Sequence, residues 1–306
     1  VIREELARRF RRLLSGAPTG VPDWTPLIAA GDDAGYFSPT DAPWIVHADF
    51  ATLIGGIRAL LVQAMHPGSL AGVVQHSRYE EDVLGRLSGT IRWLTSTTFA
   101  STTAIEEEAA RVRHMHERVR GNYTDSDGEL RNYRASDHDL LSWVHLAFTD
   151  SFLAAHMLYG GSQIPGGPDA YVKGWGKSVV LLGLKDPPES HAQLSALMGE
   201  FDSRLIVDER TKRVVRFIRR APLPVLAQPL YRLLFHAAVD SLPDTYRQRL
   251  GLRRLPGPLV RSLTRLALRA MRAIVGTHSP LEEAALSRLH RLRSTDLDAP
   301  NHRKYL

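Results

Sequence analysis

The sequence predicts an all-α fold, a single globular multi-helix domain, on three observations. Ala, Leu and Arg, all strong helix formers, dominate the chain. Val, Ile and Thr do not gather into alternating runs, and apolar residues recur instead at intervals of three and four. No internal repeat and no long polar linker divides the chain, so one domain over 1–306 is expected, with a subdivision fitting best near 160–168.

The elements follow in order. Helices are expected over 2–15, 49–65, 68–76, 80–99, 103–121, 137–160, 168–183, 189–204, 208–220, 224–239, 243–250, 257–276 and 280–292. His66-Pro67-Gly68 stops one helix and starts the next, because proline lacks the N–H that a helix interior needs. Glu106–Glu108 reads as the acidic first turn of its helix, favoured by the macrodipole. Ser136-Asp137-His138-Asp139 resembles a capping box ahead of an apolar run. Gly160-Gly161 and Ile164-Pro165-Gly166-Gly167-Pro168 form the strongest loop; Pro187-Pro188 and Pro222/Pro224 mark later turns. Near the C-terminus, Arg253, Arg254, Arg261, Arg265, Arg269 and Arg272 punctuate a leucine-rich helix, read as amphipathic with a solvated basic face. The other reading is a helix for a membrane surface or nucleic acid.

Composition narrows the chemistry. Hydrophobic residues make up 43% and charged residues 24%, ordinary for a globular protein with a real core. The absence of cysteine removes disulfides, iron–sulfur clusters, thiolate-ligated haem and covalent haem attachment. A metal would need His, carboxylate, Tyr or Met. The net charge of +6 comes mostly from arginine, and no aromatic residue interleaves the C-terminal bases, so nucleic acid is not an expected partner. No apolar run reaches the ~18 residues of a membrane span. The charged stretch VIREELARRFRRLL does not read as a signal peptide, and a cytoplasmic location is expected.

His114 and His116 stand one residue apart in RVRHMHERVRG. On a helix that spacing is ~200° of rotation, so the two side chains diverge and cannot chelate one ion. Ile105, Ala109, Val112, His116 and Val119 share one apolar stripe; His114 falls with Glu107, Arg111 and Arg118 on a charged face. A histidine in an apolar stripe is either a hydrogen-bonded core residue or a single axial ligand to haem, whose porphyrin supplies the other nitrogens. His145, in the stripe Leu141, His145, Phe148, Phe152, Ala155, allows the same two readings. His66 and His76 sit at helix ends, where capping competes with a pocket role. No H-E-x-x-H, P-loop, G-x-G-x-x-G or G-x-S-x-G appears.

Four segments in order carry a resemblance: ALLVQAMHPGSLAGVVQHS, DVLGRLSGTIRWLTSTTFAS, AARVRHMHERVRG and LLSWVHLAFTDSFLAAH. They resemble the catalytic domain shared by MpaB-type oxygenases and rubber-cleaving latex-clearing proteins, over a core of 43–250, and SLPDTYRQRLGL resembles actinobacterial members. The resemblance implies an all-α fold enclosing a pocket for non-covalent haem b. The family's proximal motif R-x-x-H-x-x-V-R falls on Arg113, His116, Val119 and Arg120, which makes His116 the implied iron ligand; Arg120 and His145 join it as cofactor-binding candidates. The distal motif R-x-x-K-T of the rubber-cleaving relatives falls on Arg86, Gly89 and Thr90, with glycine in place of lysine. That departure leaves the sixth iron position without its lysine and puts rubber in doubt as a substrate. No carboxylate maps onto the family's base, and His66 and His76 take its place as candidates beside Arg86 and Thr90.

The expected function is a haem-dependent oxidoreductase, oxygenase-like, acting on a small apolar isoprenoid or natural-product substrate with dioxygen. Peroxide use, dehydrogenation of an intermediate such as a cyclic dipeptide, and gas binding without turnover stay open, as do monomer and homodimer.

Overall fold

The computed structural model describes the backbone of residues 12, 17, 19–76 and 83–298, and side chains there except at 83–87 and 296–298. Among these residues the chain forms fourteen α-helices and one small hairpin. The helices are α1 (Thr25–Ala29), α2 (Ala42–Ala48), α3 (Thr52–Gln63), α4 (Pro67–His76), α5 (Val83–Phe99), α6 (Thr102–Arg118), α7 (His138–Tyr159), α8 (Gly167–Val180), α9 (His191–Glu200), α10 (Glu209–Arg219), α11 (Gln228–Ser241), α12 (Asp244–Arg249), α13 (Gly257–Val275) and α14 (Pro280–Asp298). The strands β1 (Arg120–Thr124) and β2 (Leu130–Arg134) lie between α6 and α7 and pair antiparallel.

The centre is α3 against α7. Gly55 permits the close approach: a Cβ there would lie 2.5 Å from the Phe152 ring. α11 packs on α3 as well, and Arg58 ties the three helices together. Its buried guanidinium meets Asp150 at 2.6 Å, Ser151 Oγ at 2.8 Å and the Ser241 carbonyl at 3.3 Å. A buried charge is tolerated on such terms, paired and hydrogen-bonded. The apolar core runs from Trp24 to Ala285 and draws on both sides of the 160–168 loop, so the fold is one mostly-α domain. No single helix among the described residues is long and apolar enough to cross a membrane; α2 and α3 pass together on composition but are bent by 93° and bury most of their residues.

Several expectations change. The predicted helix 2–15 lies outside the described residues. Helices α1 and α2 were not anticipated, although Asp41 and Pro43 mark the start of the second. The predicted helix 103–121 stops at Arg118, because the Val119 carbonyl turns to accept from Ala135 N at 2.9 Å and opens the hairpin. The end of 189–204 and the start of 224–239 are 3₁₀ turns. Glu106–Glu108 are not a first turn: α6 begins at Thr102, and Glu108 is buried between two arginines. The capping box at 136–139 does not form, since Asp137 turns its carboxylate back to the Arg134 N–H at 2.7 Å.

Candidate functional site

The sequence candidates divide into those at the end of the α5–α6 pair and those inside the core. Helices α5 and α6 fold back on each other across residues 100–101. Arg92 Nε bonds Glu108 Oε2 at 3.0 Å and fixes their register. At 1.5 Å per residue, His116 lies about 12 Å beyond Glu108, Gly89 about 4.5 Å and Arg86 about 9 Å beyond Arg92 towards the same end. The pairing thus brings the backbones of Arg86, Gly89 and Thr90 to the end that carries His116.

His116 occupies the last turn of α6. The stripe that leads to it is buried through Ile105, Ala109 and Val112, but His116 and Val119 are half-buried. The expectation of a buried histidine is corrected to one at the rim, because the helix leaves the core before it ends. His114 points away, exposed, 3.5 Å from Glu117. Arg113 pins the same turn to α8 through Nη1 and the Leu181 carbonyl at 2.6 Å. Gly89 is exposed, and among the described residues a Cβ there meets nothing within 4 Å; Thr90 is half-buried. The Arg86 side chain lies outside what is described.

His76 and Arg120 are brought together, through backbone. His76 Nε2 donates to the Arg120 carbonyl at 2.9 Å. Its neighbour Gln75 donates to the Asn122 carbonyl at 2.9 Å and accepts from Tyr133 Oη at 3.0 Å. The end of α4 therefore grips the hairpin that follows His116. The Arg120 side chain is exposed and bonds only the Glu117 carbonyl, at 3.3 Å, among the described residues.

His66 and His145 are core residues. His66 sits among Trp143, Phe201 and Tyr123, with ring centroids 5.9–6.3 Å away. Burial, and then the Arg204 charge, pushes its pKa down to about 4. The Ser69 amide donates to its Nδ1 at 3.3 Å, so the proton of the neutral ring sits on Nε2. His66 is thereby poorly set to accept a proton. His145 is pushed by burial to about 3. Thr149 spends its hydroxyl proton on the His145 carbonyl at 2.7 Å, so His145 Nε2 donates to that oxygen at 3.4 Å. That nitrogen is turned onto its own helix.

Two features were missed. His47 is buried with Nδ1 2.8 Å from Thr98 Oγ1 and Nε2 3.0 Å from the Tyr171 hydroxyl, both nitrogens satisfied. Glu108 was legible: it is three residues from Ile105 and four from Val112, at the edge of the buried stripe. Among the described residues no group of three or more His, Asp or Glu could hold a bare metal ion.

The fold and this geometry define a mostly helical protein with His116 half-buried in the last turn of one helix of a pair. The family model described as ER-bound oxygenase mpaB/B'/Rubber oxygenase, catalytic domain, matches residues 44–277, and the chain belongs to that family. No curated protein and no solved structure matches it. Membership makes the chain an enzyme of the oxygenase class.

Proposed function

We propose that the chain is a haem b-dependent oxidoreductase that uses dioxygen on a small, largely apolar substrate, with His116 as the protein's iron ligand. The observation that carries this reading is the position of His116. It is the histidine that the family motif selects, and it stands half-buried at the end of a helical pair whose other helix brings Gly89 towards that end.

The residues fit such a cofactor by donor chemistry. Haem needs one axial ligand from the protein, and an imidazole on a helix end supplies it. Once bound, haem would supply the redox chemistry of dioxygen. The chain's own part is placement. Arg113 and the α4 grip on the hairpin hold the His116 turn from both sides. Thr90 lies half-buried on the paired helix. Gly89 in place of lysine leaves that helix position without an ammonium group. His76, whose Nε2 donates to the Arg120 carbonyl, carries its lone pair on Nδ1 when neutral.

The test is the absorption spectrum of protein supplied with haem, oxidised and reduced, beside His116→Ala. A Soret band with stoichiometric haem, lost or strongly shifted in the variant, is expected. A variant that keeps stoichiometric haem with an unaltered spectrum moves the ligand elsewhere. Oxygen-electrode traces against peroxide consumption, over a panel of isoprenoid and cyclic-peptide substrates, separate oxygenation from peroxidation.

A further inference from the structure

Helix α13 is amphipathic, as its sequence suggests, with Arg265 and Arg269 exposed and Arg261 and Arg272 half-buried. Several of its arginines, with Arg254 just before it, also bond within the molecule: Arg254 and Arg261 hold Asp240 at 2.9 and 2.8 Å, Arg265 bonds the Leu158 carbonyl at 2.8 Å, and Arg272 meets Asp49 at 2.7 Å. The buried side is Val260, Thr264, Leu268, Met271 and Val275. Beside the arginines lies an exposed apolar strip. Leu255, Leu259, Leu263 and Leu266 are 45%, 57%, 47% and 63% exposed, and Ala270 and Ala273 continue the face. From Leu259 onward these residues fall within about 80° of arc at 100° per residue. A continuous apolar face of this kind on a folded surface marks an interaction site.

We propose that this face seats α13 in the plane of an anionic bilayer surface. Charge selects that occupant. Asp240 has two arginines and balances one; a carbonyl holds Arg265 without neutralising it; Arg253 and Arg269 are exposed. Asp244 is shared by Arg247 and Arg254. The leucine face is thus flanked on one side by a strip with surplus positive charge, the arrangement of an interfacial helix on anionic lipid. A second copy fits less well: an antiparallel two-fold pairing of α13 would set both arginine strips on the same side, where like charges repel.

The test is flotation of the full chain with vesicles of phosphatidylcholine plus phosphatidylglycerol, and of phosphatidylcholine alone. Wild type is expected to float with the anionic vesicles and to be released by salt. Leu259→Ser/Leu266→Ser is expected to lose about tenfold or more in partition while its melting transition stays in place, since both side chains already face solvent. Wild type that stays down with both vesicles overturns the proposal. So does a variant that floats equally well, or a dimer that dissolves in the variant while neither protein binds vesicles.

Discussion

Arg92 Nε lies 3.0 Å from Oε2 of Glu108, a carboxylate with no exposed surface between α5 and α6. Arg111 completes the enclosure at 2.6 Å. This one contact sets the register that carries Gly89 and His116 to the same end of the pair. Glu108→Ala should therefore destabilise the fold. The two arginines are 37% and 41% exposed, so when unpaired they reach water. The cost is about 1–3 kcal/mol rather than the ~3–5 kcal/mol of breaking a fully buried pair. Glu108→Gln, which keeps an acceptor, should cost less. Urea denaturation of the three proteins measures this, and equal midpoints would remove the bridge from the account.

Gly89 is an exposed glycine inside a helix with room for a side chain. Gly89→Ala should stabilise the protein by about 0.5–1 kcal/mol, because glycine gives up more backbone freedom on folding. Gly89→Lys fits the same space and restores the residue that the rubber-cleaving relatives carry there. Its expected effect in haem-loaded protein is a shift of the oxidised spectrum towards a six-coordinate form. An unchanged spectrum would mean that this turn does not face the iron.

Acid should weaken the fold before its carboxylates titrate. Burial holds His47 and His145 down to about 3 and His66 down to about 4. Unfolded, each takes a proton near 6.5, so between that value and the folded one the unfolded chain binds more protons. Stability is full above about pH 6.5 and falls as pH drops towards 4, by up to ~1.4 kcal/mol per pH unit for each group. The carboxylates with lowered values, such as Asp33 and Asp240, act only below their ordinary 3.8. Urea midpoints at about pH 7 and about pH 5 isolate the histidines. A lower midpoint at the acid value is expected, with the drop reduced in His145→Gln; midpoints that do not move would show that these rings already carry protons when folded.

The helices were legible because burial imposes a period of 3.6 on their sequences, and α3 to α7 lie close to where that period puts them. The hairpin was not, although Asp127-Gly128 between Tyr123 and Tyr133 is a turn signal, with Gly128 at φ +84°. Its outer residues are polar and exposed, and the α6 stripe extends in sequence through Val119, so the helical reading absorbed its start. The same stripe named His116 but overstated its burial, because periodicity identifies a face and not where a helix leaves the core. His47 was hidden for another reason. Its partners Thr98 and Tyr171 are 51 and 124 residues away, and only the packing of α2 against α5 and α8 brings them to the ring.

The grip of α4 on the hairpin gives the last prediction. Gln75 uses both ends of its amide, donating to Asn122 and accepting from Tyr133, and the absence of a side chain at Gly121 makes room for it: a Cβ there would lie 2.3 Å from Gln75 Oε1. Gln75→Ala removes both bonds at once, at a cost of about 1–2 kcal/mol. Gly121→Ala should act the same way, by pushing the amide out. Neither residue is needed to fold α6 itself, so the loss should be local. Hydrogen exchange should quicken at the hairpin amides of Asp125 and Ala135, which bond Glu129 and Val119 at 2.9 Å, while amides inside α3 and α7 stay protected. Because the hairpin begins two residues after α6 ends, the His116 turn should loosen with it, and haem-loaded protein should release haem faster in both variants. Faster exchange with unaltered haem release would make the grip a purely structural clasp; unaltered exchange would mean that the strand pairing alone holds the hairpin.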